Sequence, residues 1–270
     1  MRRAVDVARR DLRQAAGSSL VWAVVAVLAG LIGLVVAVPG LLADFSDRLA
    51  FEATTQAVGT VVPIVALVTG YLAVAGERES GSIRVLLSLP PSRLEVVAGK
   101  FLSRAALVVG GVVLAFAVGA LVSLLVYQSV PWRVAAWTTL LTCLLGVSFV
   151  GVAVGISAAV ATRARAIALA VAFFVVTVVL WGPLTLALQF VLELPFEAAA
   201  QPDWFLFLND LPPASAFSRL YNSAVGSLLP TRPPPGDAVY LSDAAMVLVL
   251  VLWTVVPLVL GYWRFERADL

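Results

Sequence analysis

Residues 76–104 read GERESGSIRVLLSLPPSRLEVVAGKFLSR, the one long charged passage caught between two apolar spans, and the rest of the chain is read outward from it. Ile83, Leu86 and Leu87 fall at i, i+3 and i+4, which predicts a short amphipathic helix with Arg84 and Ser88 turned away from its apolar side. Pro90 and Pro91 end that helix, because proline lacks a backbone donor and disfavours the α conformation in the residue before it. Ser92 followed three residues later by Glu95 is a capping box: the hydroxyl accepts from the Glu95 amide and the carboxylate accepts from the Ser92 amide. The helix so started continues into residues 105–126, which carry no charge. The elbow is therefore rigidly joined to a membrane-crossing helix, and a push on it moves that helix.

The composition around this passage fixes the class. Hydrophobic residues make up 61% of the chain and charged residues 13%, against about 45–50% and about 25% in soluble globular proteins. The pattern is that of an all-α polytopic membrane protein. There is no histidine, and the one cysteine, Cys143, lies in an apolar run, which excludes an internal disulfide and a thiol or imidazole metal cluster.

Before the elbow, Arg2, Arg3, Arg9, Arg10 and Arg13 stand mostly opposite Val5, Ala8 and Leu12. This predicts an amphipathic interfacial helix over 2–16, its arginines near anionic headgroups, with a disordered basic tail as the plainer alternative. Residues 20–38 are the first span; a cleaved signal peptide would have a shorter apolar core and a small-x-small site. A polar loop over 39–56 carries Asp44, Asp47, Arg48 and Glu52, and the second span follows over 57–75, with Pro63 as an expected kink.

After the elbow come the third span, which carries Gly110 and Gly111 as a site for a bend, and the fourth over 135–161, with Trp132 and Trp137 placed as interfacial anchors. Gly151, Gly155 and Ala159 repeat every four residues there, a pattern that lets helices approach closely. The fifth span, 167–191, is interrupted by Gly182 and Pro183 and ends with Gln189 and Glu193 on one face, the candidate pathway-facing pair. A carboxylate lying in the headgroup region is the other reading of Glu193. Residues 194–242 hold two short apolar pieces, around 204–208 and 217–224, broken by Asn209, Asp210 and prolines. Both are too short to cross, so they read as external or re-entrant helices, or as a loop packed on the membrane surface. Residues 231–237 form a proline-rich linker, and 244–261 the sixth span.

Counting basic residues orients the chain. With both termini inside, fourteen of the eighteen lie on the cytoplasmic side, against Arg48, Arg133, Arg219 and Arg232 outside. The expected location is the cell membrane, multi-pass, with both termini cytoplasmic. No stretch matches the phosphate-cradling G-x-x-x-x-G-K-[ST]; Gly99-Lys100 lacks both the upstream glycine and the following hydroxyl. Hydrolase arrangements need a histidine that does not exist. The deep parts of the six spans, so delimited, are free of ionisable groups, which weighs against an ion-coupled transporter.

The run Glu77, Glu79, Gly81, Ser82, then Leu86, Leu87, Pro90, Ser92, Arg93, Gly99 and Lys100 resembles the first cytoplasmic loop of type-2 ABC-transporter permeases. The likeness extends in layout to most of the chain: a basic amino-terminal helix, six spans, and external or re-entrant helices between spans five and six. Phe207, Leu208 and Asn209, with 216–220, are similar to the NosY-like subfamily, apart from an inserted Asp210-Leu211-Pro212. The resemblance implies one permease domain over 1–270 that pairs with a second copy or paralogue and is driven, as an exporter, by a separate ABC ATPase on the cytoplasmic side. Glu77, Glu79, Arg84, Arg93 and Lys100 are then the candidate contacts to that ATPase, and Pro90, Pro91, Ser92 and Glu95 the structural elbow. This chain is expected to bind no cofactor, metal or nucleic acid and to have no enzyme activity, ATP and Mg belonging to the partner. The competing class is a channel or passive scaffold, in which the elbow is only a solvated loop.

Overall fold

A computed structural model describes residues 2–42, 46–80, 92–197, 200–226 and 238–268. The predicted amphipathic helix over Ile83–Leu87, the Pro90-Pro91 break, Arg84 and the 231–237 linker lie outside these residues. What is described is helical, and six helices are long and apolar enough to cross a membrane.

The elements are α1 (Arg2–Ala16), α2 (Ser19–Leu42), α3 (Asp47–Gly70) with a short continuation α4 (Ala75–Glu79), α5 (Arg93–Tyr127) and α6 (Trp132–Ala159). The fifth span is α7 (Arg163–Phe174), a π-helical segment Val175–Leu180 and α8 (Trp181–Val191). Then follow α9 (Asp203–Asp210), α10 (Pro213–Tyr221) and the sixth span α11 (Asp243–Glu266).

The described residues of the polar stretch 39–56, other than Ser46, are helical rather than a loop. α2 runs to Leu42, and α3 starts at Asp47 because the Ser46 hydroxyl caps the Leu49 amide and Arg48 pairs with Glu52 one turn on at 3.0 Å. Glu52 is thereby buried within a membrane-crossing helix, so the second span does hold an acid. Gly110 and Gly111 do not break α5, which is continuous across them. The interruption foreseen at Gly182-Pro183 is real and takes the form of the π segment just before it. Pro183 has no N–H to give and its ring crowds the carbonyl four residues earlier, so the backbone rewinds by one residue.

Direction in the packing comes from small residues, since apolarity on every side of a span selects no face. α6 is the most buried span and α7–α8 the least. A methyl group placed at Gly151 would lie 2.5 Å from the Thr254 carbonyl oxygen, and one at Gly155 would collide with the carbonyl of Pro257. The predicted small-residue stripe is therefore a packing face, and its partner is α11. Likewise Gly70 sits on Ala153, Gly119 on Ile32 and Gly146 on Val108, which binds α3, α2 and α5 into the same core. Hydroxyls within the spans bond back to the preceding turn, as Thr138 to the Val134 carbonyl and Ser148 to that of Leu145, both at 2.7 Å.

Between spans five and six, α9 and α10 bury Phe205, Phe217 and Tyr221. They form a helical hairpin packed into the bundle rather than a surface loop, held inside by the Arg219–Asp210 pair at 2.5 Å. Its break reaches inward. The Trp253 indole donates to the Leu211 carbonyl at 2.9 Å and the Trp181 indole to that of Leu208 at 3.0 Å. Trp253 lies ten residues past Asp243, about 15 Å along the helix axis.

Candidate coupling site

The elbow end of the bundle is built on the turn 71–74 and α4, which follow the second span directly. The Ser157 hydroxyl, buried near the end of α6, accepts the amides of Val74 and Ala75 at 2.9 and 3.0 Å. That contact fixes where Gly76, Glu77, Arg78 and Glu79 project.

Each charged residue of this turn then seizes a different helix. Glu77 accepts from the Lys100 ammonium at 2.5 Å, and Lys100 also donates to Asp11 of α1 at 2.7 Å. Asp11 takes further bonds from Ser103 at 2.5 Å and from Arg104, whose guanidinium nitrogen is 3.2 Å from one carboxylate oxygen. Arg78 reaches the carbonyls of Ala158 and Val160 at the end of α6, and its guanidinium lies 5.7 Å from the centre of the Phe265 ring. Glu79 accepts the Arg163 amide at 2.5 Å and so caps the fifth span, a favourable place for an anion. Arg93 donates to the carbonyls of Phe265, Glu266 and Ala268 at 2.7, 2.7 and 3.0 Å, and lies 5.5 Å from the same Phe265 ring. A cation on the open carbonyls of a helix end is favourable for the same reason.

The capping box forms as read. The Ser92 amide donates to Glu95 at 2.9 Å, and the Glu95 amide to the Ser92 hydroxyl at 3.3 Å. Of the candidate contacts, Glu79 is exposed, Glu77 and Arg93 are half-buried, and Lys100 is only 5% exposed. Lys100 is thus a buried tie between α1, α4 and α5. Asp11 was not singled out in the sequence, although it stands one residue before Leu12 and three after Ala8, beside the apolar stripe rather than among the arginines. The face α1 turns inward is centred on Asp11, while Val5 stays 57% exposed. Burial resists ionisation of Asp11, but Lys100 and Arg104, with hydrogen bonds from Lys100 and Ser103, outweigh it and hold the carboxyl below its ordinary value.

Gln189 and Glu193 are not brought together. α8 ends at Val191, so Glu193 falls beyond the helix in a left-handed conformation (φ 51°) and is exposed. The Gln189 amide is buried and donates to the Pro195 carbonyl at 2.7 Å, closing the turn after the span. Among the described residues no group of three or more His, Cys, Asp or Glu side chains could hold a metal ion.

Six apolar spans, a helical hairpin between the last two and a charged elbow tied to the helix ends define a multi-pass membrane permease. The chain belongs to the ABC-2 family of transporter proteins, whose family model matches residues 45–270. It is similar to the probable ABC transporter permease protein NosY of Stutzerimonas stutzeri, 28% identical over 280 residues that cover 97% of each chain. It is also similar to the protein of that name from Pseudomonas aeruginosa, 25% identical over 213 residues covering 77% of this chain and 76% of the other. The protein is a membrane permease subunit of an ABC transporter, NosY-like in sequence.

Proposed function

We propose that this permease is an exporter subunit that works as a dimer and is driven by a separate ATPase docked on residues 76–104, with both termini on the cytoplasmic side. The observation that carries the reading is the reach of the elbow. Through Glu77, Arg78, Glu79, Arg93 and Ser157, a displacement of that one segment is felt by α1, α5, α6, α7 and α11 together. A solvated loop has no need of such ties. In this reading Glu79 and Arg84 meet the ATPase directly, whereas Lys100 and Arg93 transmit the displacement within the chain. The chain itself carries no ATPase activity.

The test is reconstitution with an ABC ATPase that co-purifies with this chain in mild detergent. Glu79→Lys and Arg84→Glu should leave the permease folded and inserted but lower ATPase binding or transport-stimulated hydrolysis. Replacing Pro90 and Pro91 by alanine should preserve binding yet uncouple hydrolysis from transport. Wild-type complex formation and transport in all three variants would defeat the coupling assignment and leave the channel or scaffold class standing.

A further inference from the structure

The seam between the fifth and sixth spans is left open at the elbow end. A cavity of about 820 Å³ lies there, walled by Arg78, Arg165, Arg264 and Arg267, with Leu169 and Trp263 on its apolar side. Among the described residues no carboxylate lines it. Glu266, the acid nearest in sequence to Arg264 and Arg267, accepts from the Tyr262 hydroxyl at 2.7 Å. Arg78 is committed to the end of α6, but Arg165, Arg264 and Arg267 are exposed and face the cavity with no counter-charge on its walls among the described residues.

Leu169 belongs to the wall of a second cavity as well. This one, about 550 Å³, runs along the same seam and is lined by Ile156, Phe173, Val176, Trp181 and Trp253. A cationic chamber at the helix ends and an apolar groove that reaches Trp253 therefore adjoin at one shared wall residue, Leu169.

We propose that this seam binds one anionic phospholipid, its phosphodiester among Arg165, Arg264 and Arg267 and an acyl chain in the groove beyond Leu169. Guanidinium groups match phosphate oxygens in geometry and charge. Basic pockets between spans at the cytoplasmic face are suited to acidic headgroups, and Trp263 stands where an indole favours the interface. A free phosphate would use the chamber but leave the groove empty; the groove is what selects a lipid. The assignment rests on the membrane reading of the spans, and the binding measurement below is made on the permease chain without the ATPase.

The experiment uses the full-length chain, purified and delipidated in detergent, with phosphatidylglycerol, phosphatidylcholine, glycerol 3-phosphate or inorganic phosphate added. Thermal stability and lipid retention by native mass spectrometry are measured. Phosphatidylglycerol alone should raise the unfolding temperature and remain bound at one copy per chain. In the triple variant R165Q/R264Q/R267Q its affinity should fall about fivefold per arginine, on the order of a hundredfold in all. The triple lysine variant, which keeps the charge, should retain most of the binding and so separates lost charge from misfolding. Leu169→Trp should weaken binding with every arginine in place. Equal stabilisation by phosphatidylcholine, full stabilisation by inorganic phosphate alone, or undiminished lipid retention in the glutamine variant would each overturn the assignment.

Discussion

Lys100 stands between two carboxylates from different elements, Asp11 of α1 and Glu77 of α4, and all three are partly or wholly out of water. Removing the ammonium takes the shortest ion pair from Asp11, which keeps Arg104 and Ser103, and takes the Lys100 contact from Glu77, so Lys100→Met should destabilise the protein by about 3 kcal/mol, the low end of the range for breaking one side of a buried pair. Chemical denaturation in detergent reads this directly. Asp11 sets a pH dependence whose sign follows from its lowered folded-state value. Its contribution is present above the ordinary carboxylate value of 3.8 and is lost as pH falls through the lower folded one. The stability gap between wild type and Asp11→Asn should therefore stay constant from neutral pH down to about pH 5 and close below about pH 4. None of this was legible residue by residue, because Lys100 and Asp11 are 89 positions apart and only the folded bundle makes them neighbours.

Local signals were legible wherever the chemistry is complete within one turn. Ser92 and Glu95 satisfy each other across three residues, so the start of α5 could be read from sequence, and Ser92→Ala should cost about 0.5–2 kcal/mol. The Gly151 and Gly155 spacing announced a close contact but not its partner, since α11 offers a featureless apolar surface in sequence. The structure supplies a sharp contrast. Gly155→Leu drives a side chain into the Pro257 carbonyl and should abolish stable folding, seen as aggregation on size exclusion. Gly182→Ala meets nothing within 4 Å and should run as wild type. The boundary of α3 escaped sequence reading because Asp47, Arg48 and Glu52 resemble loop composition, while the Ser46 cap and the Arg48–Glu52 pair make them a helix start.

For the molecule as a whole, six spans and the order of their connections followed from hydropathy alone, because the bilayer thickness sets a length that few other structures imitate. The orientation proposed above rests on the distribution of basic residues, and it is tested by single cysteines in a Cys143-free background. Those at Ser88 and Thr162 should react only from the cytoplasm, and those at Asp47 and Asp237 only from outside. Labelling of Ser88 in intact cells by an impermeant reagent would reverse the assignment. What sequence could not show is that, among the described residues, Arg78, Glu79 and Arg93 of the elbow turn onto helix ends. Charge patterning marks where a chain meets something polar and is silent on whether that is a partner, water or its own backbone.

The backbone contact between α6 and α11 has a mechanical meaning. With Gly151 and Gly155 seated on the carbonyls of Thr254 and Pro257, spans four and six form a single stiff beam that cannot shear without a steric collision. Span five, shallowly packed and already rewound at Val175–Leu180, is the compliant limb beside it. Spin labels on spans four and six should hold one distance through the ATPase cycle, and a label on span five should be the one whose distance to them broadens.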